Sequence, residues 1–154
     1  MKLGVMIEGQ EGIGWEEWSN IVAWTEELGF ESLWRSDHFF SLGGPRERDS
    51  LETMVSLSYA AEHSSRIRFG PLVCSMTFRH PALLARMAAA IDQLSGGRLV
   101  LGIGAGWNVP EHEADTTRLE MLGTLALGKI RCMANLSSTL TCFNGNSTDR
   151  LSGS

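Results

Sequence analysis

The 154-residue sequence contains no apolar run long enough to cross a bilayer, no cluster of lysine and arginine, and no closely spaced pair of cysteines. A membrane helix needs about 20 apolar residues. The amino-terminal string "MKLGVMIEGQ" offers only a short run, interrupted by Gly4 and ended by Glu8, too short for a secretion signal as well. Thirteen basic residues against eighteen acidic ones give a net charge of -5. Without a basic patch the electrostatic footprint of a nucleic-acid binder is missing, and neither nucleic acid nor membrane is expected as a partner. The three cysteines, Cys74, Cys132 and Cys142, are odd in number and form no C-x-x-C pair. That excludes a disulfide framework and the usual zinc spacings, so the expectation is a reduced, cytoplasmic protein with no metal site.

What is present is the composition of a globular protein, 43% hydrophobic and 20% charged, in a chain of the length of one domain. "KLGVMI" reads as a strand. "WEEWSNIVAWTEELG" follows as a helix, with Trp18, Val22, Thr25 and Leu28 spaced on one face and Gly29 as its stop. The pattern recurs as "ESLWRS" then "LETMVSLSYAAEHS", and "RIRFGPLVCS" then "PALLARMAAAIDQLSGG", before "RLVLGIG" supplies a fourth strand. Pro81 suits a first helical turn and Ser95-Gly96-Gly97 a helix exit, and the face Leu84, Ala88, Ile91 is expected to pack inward. Strand starts near residues 2, 32, 66 and 98 lie 30, 34 and 32 apart, the length of a βαβ repeat. Alternating strands and helices imply a parallel sheet, either an open doubly wound sheet or a (β/α)8 barrel. Both place functional residues after the carboxyl ends of strands.

The string "RLVLGIGAGWN" bears on that choice. A dinucleotide fingerprint runs G-x-G-x-x-G at the first strand-to-helix turn, whereas Gly102, Gly104 and Gly106 run G-x-G-x-G after the fourth strand, with Trp107 where the third glycine belongs. Glycines so spaced let a backbone approach a flat ring closely, or simply form a tight turn. Ser36-Asp37-His38 follows the second strand, where a barrel would expose an imidazole able to move protons near neutral pH. Asp37 could serve with it or only hold the loop. Pro71 interrupts the third strand, which a bulge or kink near a ligand would explain. Arg79 and His80 precede a helix, where they could hold an anionic group or only cap and solvate its end.

Three strings taken together, "GFESLWRSDHFF", "TFRHPALLARMAAAIDQLSGGRL" and "LGIGAGWNVPEHEA", resemble the luciferase-like flavin oxidoreductase superfamily, most closely its coenzyme F420-dependent branch. The resemblance covers residues 1 to 114 and implies a TIM-type barrel that binds F420 or, alternatively, FMN at its strand carboxyl ends. It implies that His38 is the active-site histidine, with Asp37 its neighbour, and that the Leu72-Val73 peptide is a non-proline cis bond bulging against the ring. Ala105 and Gly106 match backbone contacts to the cofactor. Several relatives carry an acidic catalytic residue at the next position, occupied here by Trp107, so His38 is left as the obvious acid or base.

The resemblance stops after Ala114. A complete barrel needs about 250 residues, and four βα units make half of one. The fold class expected is therefore α/β, the amino-terminal half of a TIM (β/α)8 barrel over residues 1–114, followed by an atypical tail over 115–154. "RLEMLGTLALGKI" could make a helix, whereas "SSTLTCFNGNSTDRLSGS" has the composition of loop or disorder. The tail is read as the product of a frameshift or truncation near codon 115. Two functional expectations stand. One is a luciferase-like oxidoreductase carrying out hydride transfer or monooxygenation on a small-molecule substrate. The other is a non-catalytic half-barrel that binds no cofactor and forms a homo-oligomer through exposed barrel edges.

Overall fold

The computed structural model of the chain describes residues 1–114 and the two-residue strand Thr141–Cys142. The order is β1 (Gly4–Ile7), α1 (Trp15–Glu27), β2 (Ser32–Arg35), α2 (Thr53–His63), β3 (Arg68–Pro71), β4 (Cys74–Ser75), α3 (Pro81–Leu94), β5 (Gly102–Gly104), α4 (Val109–Ala114) and β6 (Thr141–Cys142). All pairings between these strands are parallel. β1-β2-β3 form one ladder with Val5, Leu33 and Phe69 in register, and β4-β5-β6 form another with Cys74 opposite Ile103. A parallel bridge from Phe69 to Leu99 joins the two ladders, so β3 and β4 are two pieces of one strand broken around Leu72-Val73. The predicted tail helix lies outside the described residues. Among the described residues no helix is long and apolar enough to cross a membrane.

Each of the three long helices starts where its sequence provides a capping bond for an N–H group of its first turn. The Glu17 carboxylate accepts from Gly14 N at 3.1 Å, Glu52 from Val55 N at 2.7 Å, and His80 Nδ1 from Ala82 N at 3.3 Å, with Pro81 leading α3. α3 ends through Gly96 and Gly97, at φ +66° and +86°, with Gly97 N donating to Asp92 O at 2.8 Å. His80 is thus a cap.

The three long helices cover one face of the strands. Trp18 and Val22 of α1, Met54, Leu57 and Ala60 of α2, and Leu84, Ala88 and Ile91 of α3 form a single buried cluster with Leu33, Phe69 and Leu99. The faces predicted for α1 and α3 are the buried ones, with one exception. Leu28 is 73% exposed; it is the C-cap of α1 and sits just before Gly29 turns the chain at φ +78°, so helical periodicity no longer directs its side chain. Val5 and Ile7 of β1 pack against the cluster. By strand alternation the opposite face then carries Gly4, Met6, Ser32, Trp34 and Gly70. Ile103 also packs on the cluster, which turns Gly102 and Gly104 to that same opposite face.

Gly70 allows the closest approach in the fold, because a β-carbon there would overlap the carbonyl oxygen of Val100. Backbone cannot swing aside as a side chain can. Gly70→Ala is expected to destabilise the fold by about 1–3 kcal/mol through overpacking, read as a lower urea midpoint at unchanged slope; an unchanged midpoint would mean that this seam has slack.

Candidate functional site

The loops after β2, β4 and β5 meet at the carboxyl ends of the strands. Arg35 closes β2 and, facing the helices, is fully buried. Its guanidinium donates to Ser56 Oγ, to Leu51 O at 2.9 Å and to Ser36 O at 3.3 Å, and lies 5.4 Å from the Trp18 ring centroid. Burial lowers its pKa to about 10, which leaves it charged at neutral pH. Ser36 follows, its hydroxyl donating to Gln10 Oε1 at 2.5 Å and accepting from Gly9 N at 3.2 Å.

Asp37 turns inward and is gripped. Arg79 donates to both of its oxygens, at 2.6 and 2.9 Å, and Ser75 N donates to Oδ2 at 3.0 Å. Burial pushes the carboxyl up, yet the hydrogen bonds and charge of Arg79 outweigh burial and hold it below the usual range. Arg79 also donates to the Glu52 carboxylate. The guanidinium is therefore committed to two carboxylates, which corrects the expectation that Arg79 could hold an external anion. Cys74, beside this pair, is a buried thiol whose pKa is raised by burial and by the charge of Asp37; it is not a nucleophile here.

His38 is the next residue and the one that reaches the mouth, its side chain 16% exposed. Its Nδ1 lies 2.7 Å from Glu111 Oε2, while Glu111 Oε1 accepts from Phe39 N at 2.7 Å. Trp107 stands edge-on to the imidazole with ring centroids 5.7 Å apart and is itself 70% exposed. Phe39 stacks on Phe78 at 4.1 Å, fastening the loop after β2 to the loop after β4. A second polar chain runs beneath: Ser75 Oγ to Thr77 Oγ1 at 2.8 Å, and Thr77 Oγ1 to His112 Nδ1 at 2.9 Å. Gly106, at φ +77°, rests on it, since a β-carbon would come within 2.6 Å of Ser75 Oγ and 2.8 Å of His112 Nε2.

Of the residues singled out from sequence, His38 and Trp107 are brought together, Asp37 lies beside them under Arg79, and Ala105 and Gly106 are exposed at the lip. Leu72-Val73 forms the break in the third strand, its peptide bond cis. Val73 lies over Gly102 and Gly104, where added β-carbons would meet its side chain. Sequence reasoning missed Glu111, His112, Ser75 and Thr77. A signal existed for the first: Asn108-Val109-Pro110-Glu111 has the N-cap, early proline and N3 acid of a helix start, which would have placed α4 and aimed Glu111 at its first turn.

The family model described as luciferase-like monooxygenase matches residues 1–121. The chain belongs to the luciferase-like monooxygenase family. Its luciferase-like relatives include a 4-hydroxyprotoasukamycin monooxygenase of Streptomyces nodosus, 36% identical over 86 residues, which are 56% of this chain and 22% of that protein. An F420-dependent glucose-6-phosphate dehydrogenase of Amycolatopsis mediterranei is 36% identical over 85 residues, 53% of this chain and 24% of that one. The chain thus spans under a quarter of the length of these curated relatives. Among solved structures, the coenzyme F420-dependent tetrahydromethanopterin reductase of Methanopyrus kandleri superposes with a TM-score of 0.60 at 26% identity, covering 73% of this chain and 29% of that one. A monooxygenase of Streptomyces bottropensis gives 0.65 at 27% identity, covering 82% and 39%. The parallel α/β arrangement is similar to that of these luciferase-like TIM-barrel enzymes.

The residues at this mouth fit a flat, ring-bearing cofactor of the flavin or deazaflavin class. Gly70, Gly102 and Gly104 are covered by Val100 O, Pro71 O and the Val73 side chain, so the surface open to a ring is the exposed Ala105, Gly106 and Trp107 with the partly exposed Leu72 and Val73. Stacking area is available on Val73 and Trp107.

Proposed function

We propose that this chain forms the ring-binding end of a luciferase-like oxidoreductase, the amino-terminal half of its barrel, with coenzyme F420 as the cofactor and FMN as the alternative. The observation that carries the reading is His38, a partly exposed imidazole anchored at the strand carboxyl ends, with Trp107 of the turn after β5 edge-on to it. Leu72, Val73, Ala105 and Gly106 would hold the ring, and Trp107 would wall it. When bound, the group supplies hydride transfer or, as reduced FMN, oxygen chemistry on a small-molecule substrate. His38 moves a proton at its exposed edge, and Asp37 holds its loop through Arg79 and Ser75. In the same reading a second copy covers the apolar groove beside β1, lined by Val5, Ile7, Ile21, Trp24 and Leu28, because two sets of four βα units supply the eight strands of a barrel.

The test is a titration of the purified chain with F420 and with FMN, followed by cofactor fluorescence, with mass measured by light scattering. Saturable binding by a defined oligomer is expected, and His38→Ala should then lower turnover about 100- to 10,000-fold with binding retained. A chain that binds neither cofactor would instead be a non-catalytic fragment.

A further inference from the structure

Resting on the reading of His38 as the proton-moving group, we propose that Glu111 is its positioning residue: Glu111 holds the neutral imidazole with its proton on Nδ1 and so leaves Nε2 as the nitrogen offered to a substrate. The geometry is a closed set of hydrogen bonds. The Glu111 side chain is 0% exposed, and each oxygen faces one partner, Oε1 the Phe39 N–H and Oε2 the His38 Nδ1, both at 2.7 Å. A backbone N–H only donates. An ionised carboxylate only accepts, so the atom facing Oε2 must carry a hydrogen. In a neutral imidazole the other nitrogen is then a bare acceptor.

The residue's backbone is held as well. Ser50 Oγ donates to the His38 backbone O at 3.1 Å, and the Trp107 ring stands edge-on to the imidazole at an interplanar angle of 74°. A proton leaving a substrate O–H or N–H has one place to go, the lone pair on Nε2. The imidazolium so formed sits against the Glu111 carboxylate, which stabilises it. Glu111, fully buried, acts only through the imidazole it contacts. It determines which direction the proton travels.

Glu111→Gln makes this testable, because the two faces of an amide are not alike. Phe39 N–H requires an acceptor, so the amide oxygen must take that place and the NH2 must face His38 Nδ1. Two donors cannot meet, and the imidazole proton is driven to Nε2. The full chain, labelled with 15N-histidine, is examined by multiple-bond 1H–15N correlation at a pH where His38 is neutral, with His38→Gln assigning the resonance among the four histidines. The expected result is an Nδ1–H pattern in the wild-type chain and an Nε2–H pattern in Glu111→Gln. An Nε2–H pattern in the wild type overturns the proposal by itself, even if the variant fails to fold. An unchanged Nδ1–H pattern in a folded Glu111→Gln overturns it equally. The cofactor titration is separate: an Nδ1–H imidazole in a chain that binds neither F420 nor FMN would sink the proposed function and leave the clamp, whereas cofactor binding with an Nε2–H imidazole would do the reverse.

Discussion

Arg79→Met is expected to destabilise the fold by about 3–5 kcal/mol, since it strands the buried Asp37 carboxylate without its cation. Against a total stability of about 5–15 kcal/mol, that is enough to shift a urea midpoint far outside error. Part of the loss should return in the double variant Asp37→Asn with Arg79→Met, where no charge is left unpaired. The pH dependence gives an independent signature. In the wild type the folded-state pKa of Asp37 is depressed, so its contribution is present above the unfolded value of about 3.9 and is lost as pH falls through the lower folded value. With Arg79 gone, burial, the largest influence on this carboxyl, is opposed only by the hydrogen bonds from Thr53, Cys74 and Ser75 N, and the folded-state pKa should rise. The folded variant then holds its proton more tightly than the unfolded chain, and its stability should fall as pH rises just above about 4. Midpoints measured between pH 3 and 6 should therefore slope in opposite directions, and parallel slopes would show that Arg79 does not control this carboxyl.

Trp18→Ala should cost a comparable amount, about 3–5 kcal/mol from the cavity and lost transfer energy. Trp18 is fully buried at the centre of the helix layer. Its indole Nε1 donates to Ser56 O at 2.9 Å, and its ring lies 5.4 Å from the Arg35 guanidinium carbon. Truncation thus removes a ring, an N–H donor and the apolar cover over a buried cation together. Trp18→Phe keeps the six-membered ring and loses the pyrrole ring with its donor, so it should recover most but not all of the stability. Equal losses for Ala and Phe in urea titrations would assign the effect to the hydrogen bond and contradict the packing account.

These two residues illustrate what the sequence makes legible. Trp18 and Val22, like Leu84, Ala88 and Ile91, declare themselves by spacing, because a helix face is a local, periodic property. Pro71 declares a fault in its strand, since a central strand has no use for a residue without a donor, and the strand does break between Pro71 and Cys74. Leu28 misleads because periodicity continues on paper one residue past the last helical turn. Arg79 misleads for another reason: an arginine before a helix suits an anion from outside or a carboxylate from within, and only the fold shows that Asp37, 42 residues earlier, fills the place. His38 is visible from sequence, but the partner that orients it is not. Glu111 lies 73 residues away, and pairing at that distance leaves no periodic trace.

That distance has a consequence for how the site comes into being. A ribosome releases the chain from its amino end at about 5–20 residues per second, so His38 is made roughly 4–15 s before the residue that orients it. Through that interval the first two βα units can already pair and bury Leu33 against Trp18 and Leu57. The imidazole then stands on an otherwise finished scaffold with its ring free to turn. The contact that fixes the imidazole comes last, with the polypeptide that follows β5.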